Sequence, residues 1–465
     1  MLFELFTGRY FVRHRLLEWL NKMISKIKSI IKKITPQWAI SLYHYSLAVF
    51  SAAIYGFPSE KMAVIGVTGT KGKTTTANFI WSCLQAGGYK TGIITTANIR
   101  IGEKETLNKY HMTMPGRFVI QKLLRQMVKE GCKYCVVETT SEGIKQHRHR
   151  GIHYDIAVFT NLTPEHLPSH GGSFEKYKQA KGKLFESLAK HNHKHVAGKL
   201  IEPTIIINND SEHKDYFLSF RASQKITYGL NQGADYAAEN VRDTASGVEF
   251  SVKGVMFHLG ILGRFNVYNA LPAIIICRLF KVPDLLIERG LKNLRLIPGR
   301  MELINEGQNF TVIVDYAHEK ESITAVLETA QKIIKPGAKI IILLGAEGGG
   351  RDKFKRPVMG KLAGEMADYV IASNVDPYED DPTEIAEDIA RAAEEAGKIR
   401  NQNLFVIEDR RQGIKKALEL AKSGDIVIIT GKGAEQSIFI GGKKYDWDDR
   451  TVTKEELNKL LSGKK

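Results

Sequence analysis

The chain has 465 residues, 43% apolar and 25% charged, which excludes a disordered chain and is too long for one ordinary core. A formal net charge of +16, from 67 basic and 51 acidic residues, points to polyanionic partners: nucleic acid, anionic lipid or a phosphorylated substrate. Four cysteines exclude a disulfide scaffold, and the lone C-x-x-C of Cys132 and Cys135 reads as two small buried residues of a strand rather than half of a zinc or redox site.

Residues 1–37 carry eight Lys or Arg against two Glu. Over 16–34 the apolar residues (Leu16, Leu17, Trp19, Leu20, Met23, Ile24, Ile27, Ile30, Ile31, Ile34) fall at helical spacing among Lys22, Lys26, Lys28, Lys32 and Lys33. Such a helix suits an anionic membrane surface. Residues 38–57 hold no charge, but His44, three Ser and three Tyr dilute the signal for a span. Three readings follow for a basic helical arm over 1–60: packed on the rest of the protein, lying in a membrane interface, or spanning it. No secretory signal stands out, and the protein is expected in the cytoplasm, with a peripheral place at the inner face of the membrane as an option.

From residue 63 the pattern alternates. An apolar strand over 63–67 runs into Gly69-Thr-Lys-Gly-Lys-Thr74 and a helix over 75–86. Strands follow near 91–95, 135–138, 156–160 and 204–208, then a β-rich stretch over 224–262 and a helix over 266–280. This predicts an α/β fold with a doubly wound, mostly parallel, P-loop-type sheet over 61–297. Pro298-Gly299 marks a boundary, after which a second, Rossmann-like α/β unit is expected over 298–465. Its strands are placed at 310–315, 339–344, 369–373, 404–407 and 425–430, and its helices at 321–334, 357–367 and 383–396.

The chemistry begins at the glycine loop. Gly69, Thr70, Gly72, Lys73, Thr74 and Thr75 stand between strand and helix, where backbone N–H groups and a helix N-terminus favour phosphate. Lys73 is expected at the β/γ-phosphates and Thr74 at Mg²⁺. The spacing departs from G-x4-G-K-T, because five residues separate Gly66 from Gly72. Glu138 closes an apolar strand and His166 follows a strand–turn, so both are candidate metal ligands. Oxygen donors and nucleotide phosphates suit Mg²⁺ with ATP.

These motifs together resemble the Mur ligase family, in its MurE type. They include Thr68-Gly-Thr-Lys-Gly-Lys-Thr-Thr75, Glu138-Thr-Thr-Ser-Glu-Gly-Ile-Lys-Gln-His-Arg148, Phe159-Thr-Asn-Leu-Thr-Pro-Glu-His-Leu-Pro-Ser-His-Gly171 and Tyr177-Lys-Gln-Ala-Lys181. Further on come Gly263-Arg-Phe-Asn-Val-Tyr-Asn269, Pro298-Gly-Arg-Met-Glu302, Asp315-Tyr-Ala-His318, Lys355-Arg-Pro-Val-Met359 and Gly431-Lys-Gly-Ala-Glu435. The resemblance covers about residues 62–450. It implies an ATP-dependent amide-bond ligase of peptidoglycan precursor synthesis that works through an acyl-phosphate. It implies that Lys181 is carbamylated and binds Mg²⁺, that Arg300, Asp315 and His318 hold ATP, and that Asn266 and Asn269 approach adenine. Ser141, Gln146 and Arg148 match positions that hold a muramyl peptide, and Gly431 and Glu435 lie in the motif that meets the incoming amino acid.

Three departures stand out. The first 60 residues are too short for the family's UDP-holding domain, which leaves a UDP- or a lipid-linked acceptor open. The family's D-N-P-R becomes Val375-Asp376-Pro377-Tyr378, which removes the Arg that meets the distal carboxylate of diaminopimelate. Lysine is one candidate amine, with Asp376, Glu379 or Asp380 as counter-charges; another amine is equally open. Glu319-Lys320 replaces T-P-D, and Glu347-Gly-Gly-Gly350 carries an extra residue. Folate-type polyglutamylation and cyanophycin-type synthesis fit less well, because of the block at 138–171. Amidation of a lipid-linked muropeptide with a glutaminase partner remains a rival, and a nucleic-acid-stimulated P-loop ATPase a remote one. No nucleic acid is expected.

Overall fold

The computed structural model describes residues 35–110, 112–165, 167–189, 193–244 and 247–463. The amphipathic helix expected over 16–34 and the ligand candidate His166 lie outside the described residues.

An 11-stranded sheet runs in the order Val255–Leu259, Gly247–Val252, Tyr236–Thr244, Gln224–Gly229, Thr204–Asn208, Ile156–Phe159, Ala63–Thr68, Tyr134–Glu138, Thr91–Ile94, Asn98–Ile101, Lys104–Leu107. The central strands are parallel, and each edge is finished by an antiparallel pair. Ala63–Thr68 and Tyr134–Glu138 are buried along their whole length. Continuous apolar runs of this kind suit strands covered on both faces. Helices Lys73–Ala86 and Asn266–Leu279 supply one cover, through Phe79, Ile80, Leu271 and Ile275. Helices Arg117–Lys129 and Phe174–Leu188 supply the other, through Leu124, Met127, Leu184 and Phe185. Cys132 and Cys135 are free and buried here, as two strand-side packing residues.

A second sheet of six strands has the order Glu302–Ile304, Thr311–Asp315, Ile426–Thr430, Ile340–Leu344, Tyr369–Ala372, Leu404–Val406, parallel except for the first. The edge pairs Asn98–Ile101 with Lys104–Leu107 and Ser437–Ile440 with Lys443–Asp446 do not show in the sequence, since short half-exposed strands carry little hydrophobic signal.

The six-stranded unit is tied internally by Arg410. Its guanidinium gives two N–H groups to the Asp449 carboxylate, at 2.7 and 2.6 Å, and others to the carbonyls of Asn374 and Thr430. Both charged residues are almost wholly buried. Arg410→Ala strands Asp449 without a counter-charge and is expected to cost about 3–5 kcal/mol. Urea denaturation should show a lower midpoint; an unchanged midpoint would mean that the pair holds nothing.

The uncharged stretch at 38–57 is a helix, Gln37–Ile54, that begins after Pro36. It packs against helix Arg117–Lys129, and Ala48, Ser51 and Ala52 form its narrow buried seam, with Ala48 and Ala52 closing on Gly151. Among the described residues no helix is long and apolar enough to cross a membrane.

Candidate active site

Strand Ala63–Thr68 delivers the glycine loop to the C-terminal edge of the large sheet, and helix Lys73–Ala86 leaves from it. Gly72 has φ +80°, and a Cβ there would stand 2.1 Å from Asn269 Oδ1. Gly69 leaves no more room: a Cβ would meet Thr160 Oγ1 at 1.9 Å. The loop is held from the neighbouring strand end. Asn161 Oδ1 accepts from Lys71 N at 2.8 Å, Thr160 Oγ1 donates to Lys71 O at 2.6 Å, and Lys71 pairs with Glu165 at 3.0 Å.

Lys73 Nζ donates to Thr70 O at 2.8 Å; burial lowers its pKa, and Glu138 and Glu165 oppose that shift. Glu138 comes alongside because its strand is in parallel register with the first, Val67 opposite Glu138. Its carboxylate is 2% exposed and accepts from Thr74 Oγ1 at 2.8 Å and from Thr96 N at 2.9 Å. Lys181 lies beneath the loop, donating to Gly69 O at 2.7 Å with Nζ 4.4 Å from the Tyr177 ring centroid. Burial, and then the like charge of Lys73, push its pKa well below the usual lysine range.

The six-stranded unit closes the other side. Arg300 lies over the Tyr316 ring at 4.4 Å and donates to Thr74 Oγ1 at 3.3 Å. Asp315 accepts from Met301 N and Ala317 N, both at 2.7 Å; burial raises its pKa and Arg300 opposes. His318 Nδ1 sits 2.6 Å from Tyr316 O. Between the two sheets lies a cavity of about 230 Å³. Thr70, Gly72, Lys73, Thr74, Thr75 and Glu138 line it from one side, and Arg300, Asp315 and His318 from the other.

An adjoining cavity of about 720 Å³ takes in Asn266 and Asn269 with Phe265, Tyr268 and Asp210. Asn269 donates to Asn266 Oδ1 at 2.9 Å. A third, of about 150 Å³, contains His318, Tyr316, Glu347, Arg351, Lys109 and Glu435. Glu435 accepts from Tyr316 OH at 3.1 Å and from Lys432 Nζ at 2.7 Å.

Other expected residues stand elsewhere. Asp376 is fully buried, bonded by Lys432 Nζ and Phe439 N at 2.8 Å each, so it cannot be the counter-charge for a bound amine. It acts on Glu435 through their shared lysine. Tyr378 stacks on Phe439, centroids 5.3 Å apart, and neither it nor Gly431 lines the third cavity. Ser141 Oγ is 3.1 Å from His170 Nε2. Gln146 and Arg148 bond each other at 2.7 Å beside the short helix Ser141–Lys145, and Arg148 also donates to Met114 O. None of these three lines the cavities named above.

Sequence reasoning misses Thr96, Glu165, Tyr316, Arg351 and Lys432. Thr96 is one residue type among many in its loop, whereas Glu165 and Tyr316 stand inside motifs quoted above without a role of their own. Arg351 and Lys432 sit inside or beside the ordered motifs, and a charged residue in a glycine-rich turn is the signal that could find them.

Comparison with known proteins agrees with this geometry. Residues 67–277 match the Mur ligase middle domain, and 299–433 match the Mur ligase, glutamate ligase domain. A UDP-N-acetylmuramyl-tripeptide synthetase of Roseiflexus sp. (strain RS-1) is 38% identical over 431 residues, spanning 90% of this chain and 83% of the relative. A UDP-N-acetylmuramoyl-L-alanyl-D-glutamate--2,6-diaminopimelate ligase of Bacillus cereus is 37% identical over 423 residues, spanning 90% and 82%. The solved structure of a ligase of that same description superposes with TM-score 0.57 at 28% identity, over 86% of this chain and 79% of that one. A glycine loop facing Arg300 and Asp315 across a cleft, and two matched domains over most of the length, give one conclusion: the chain belongs to the Mur ligase family, is MurE-like in sequence, and is an ATP-dependent amide-bond ligase.

Proposed function

We propose that the protein joins an amine to the free carboxylate of a muramyl-peptide acceptor during peptidoglycan precursor synthesis. The observation that supports this best is the 230 Å³ cleft, with phosphate-binding groups on one wall and Arg300, Asp315 and His318 on the other. ATP would lay its phosphates on the backbone of residues 69–75 and its adenine towards Asn266 and Asn269. The residues present fit Mg²⁺: Glu138 is a buried carboxylate bonded to the Thr74 hydroxyl, both hard oxygen donors. Thr74, Glu138 and a carbamylated Lys181 would hold the ion, which offsets phosphate charge when bound.

The acceptor carboxylate attacks the γ-phosphorus, the bond to ADP breaks, and an acyl-phosphate forms, with Lys73 balancing charge on the transferring group. The amine then attacks the acyl carbon, phosphate leaves, and the nitrogen gives up a proton. Water would compete for that intermediate. We take residues 61–297 and 298–465 as two units whose closure keeps it out. Ser141, Gln146 and Arg148 would meet the acceptor, and Glu435 the α-amino group of the incoming amino acid. Asp376 positions Glu435 through Lys432. With Tyr378 where a diaminopimelate enzyme has Arg, the amine is selected without a guanidinium at that position.

A lipid-linked acceptor, amidated or extended at the inner face of the membrane, is the second reading. It is favoured by the exposed apolar side chains Trp38, Leu42, Phe50 and Ile54 on helix Gln37–Ile54.

ADP release with Mg·ATP, UDP-N-acetylmuramoyl-L-Ala-D-Glu and a panel of amino acids tests both. Release that needs the acceptor and one amine, falls to background in EDTA and returns with Mg²⁺ supports the first reading. Release only with a lipid-linked acceptor supports the second. Release driven by DNA or RNA and indifferent to acceptor and amine overturns both.

A further inference from the structure

Among the described residues, helix Gln37–Ile54 is covered on one side only. Ala48, Ser51 and Ala52 are buried, whereas Trp38, Leu42, Tyr43, Val49, Phe50 and Ile54 are 37–70% exposed. At 100° per residue these six spread over one broad face, opposite the buried seam. Phe57 and Phe118 extend the patch, with Phe118 set edge-on to Phe50 at 6.4 Å. A soluble surface rarely shows so large a contiguous apolar area without use for it.

Cations gather at the rim. Arg150 stands 5.8 Å from the Tyr45 ring centroid, and Arg117, which begins the helix under the arm, donates to Gln146 O. Among the described residues neither forms an ion pair with a carboxylate, and Nε of each is buried without a hydrogen-bond partner. The chain leading into the arm helix adds a six-charge surplus, eight Lys or Arg against two Glu over residues 1–37.

We propose that this face is a docking surface for an anionic lipid bilayer, with the side chains from Trp38 to Phe57 in the headgroup–acyl boundary and Arg117 and Arg150 at the phosphates. No described helix is long and apolar enough to cross a membrane, so helix Gln37–Ile54 would lie on the bilayer rather than through it. Attraction of the rim to anionic headgroups adds to apolar burial, and both are needed, since either alone gives weak, reversible attachment. The surface serves the ligase reading above with either acceptor carrier, and does not depend on which is used.

The test is co-sedimentation of the full chain with phosphatidylcholine vesicles, with and without phosphatidylglycerol, at about 0.15 M salt. The full chain should pellet with the anionic vesicles. The double variant Phe50→Glu, Ile54→Glu should lower the bound fraction at least about tenfold while releasing ADP at the parent's rate on a water-soluble acceptor. A full chain that stays in the supernatant, or a double variant that pellets as the parent does, overturns the proposal. So does a lipid-free dimer that the same substitutions dissolve, which would assign the face to a second copy. Phe50→Cys adds a check, because the four native cysteines are buried. A water-soluble maleimide should label it without vesicles and fail with them; no labelling without lipid would mean the protein's own chain covers the face. Loss of ADP release in the parent would instead count against the ligase reading and leave the docking result standing.

Discussion

Lys73→Met is expected to lower ADP release about 10³-fold, or roughly 4 kcal/mol of transition-state stabilisation. The ammonium is buried at the loop, bonded to Thr70 O, in a cleft where charge is weakly screened. Methionine keeps an unbranched stem of similar reach and removes only the charge. The native fold carries a desolvation penalty at this lysine, because burial is the first cause of its lowered pKa. The variant should therefore unfold at the same temperature as the parent or higher. A large loss of rate with retained stability assigns Lys73 to phosphoryl transfer. A loss of both would mean that it holds the loop together, and a rate within a factor of a few of the parent would remove it from the reaction.

Lys181 carries the second large effect. Lys181→Gln is expected to lower activity about 10²–10³-fold, the range for losing one preorganised group at the reacting phosphates. Burial and the like charge of Lys73 disfavour the Lys181 cation, and the neutral amine is the form that adds to CO2. The product is a carbamate with release of a proton, and it replaces repulsion from Lys73 with attraction. Carbon-13 NMR of protein equilibrated with labelled bicarbonate should show a carbamate signal that Lys181→Gln lacks. A fully active parent without that signal would overturn the modification and leave Lys181 as the amine bonded to Gly69 O.

The parts of the site that are contiguous in the chain are legible in the amino-acid sequence alone. Gly69 to Thr75 read as a phosphate loop because strand, turn and helix follow one another directly, and each leaves a local signal. Glu138 is legible for a related reason: a carboxylate at the end of a parallel strand is delivered to the same sheet edge as the loop. Asp376 is misread because its partners are remote. A polar turn before a helix looks solvated until Lys432, 56 residues further on, and Phe439 N bury it. The arm is half legible. An uncharged run announces a helix, yet its apolar residues encircle the axis, so periodicity cannot say which side is covered.

By itself the sequence determined the class of sheet, the phosphate loop, the ordered motifs of an amide ligase and the excess of positive charge, since these rest on local pattern and composition. Only the tertiary structure decided which charged groups face the cleft and which are spent in burial. It set Arg300 and Asp315 opposite Lys73, gathered Glu435, Arg351 and Glu347 at the third cavity, and left one face of helix Gln37–Ile54 uncovered by other described residues. The reason is physical: local propensity acts over a few residues, whereas desolvation and ion pairing depend on what the folded chain brings within a few ångströms.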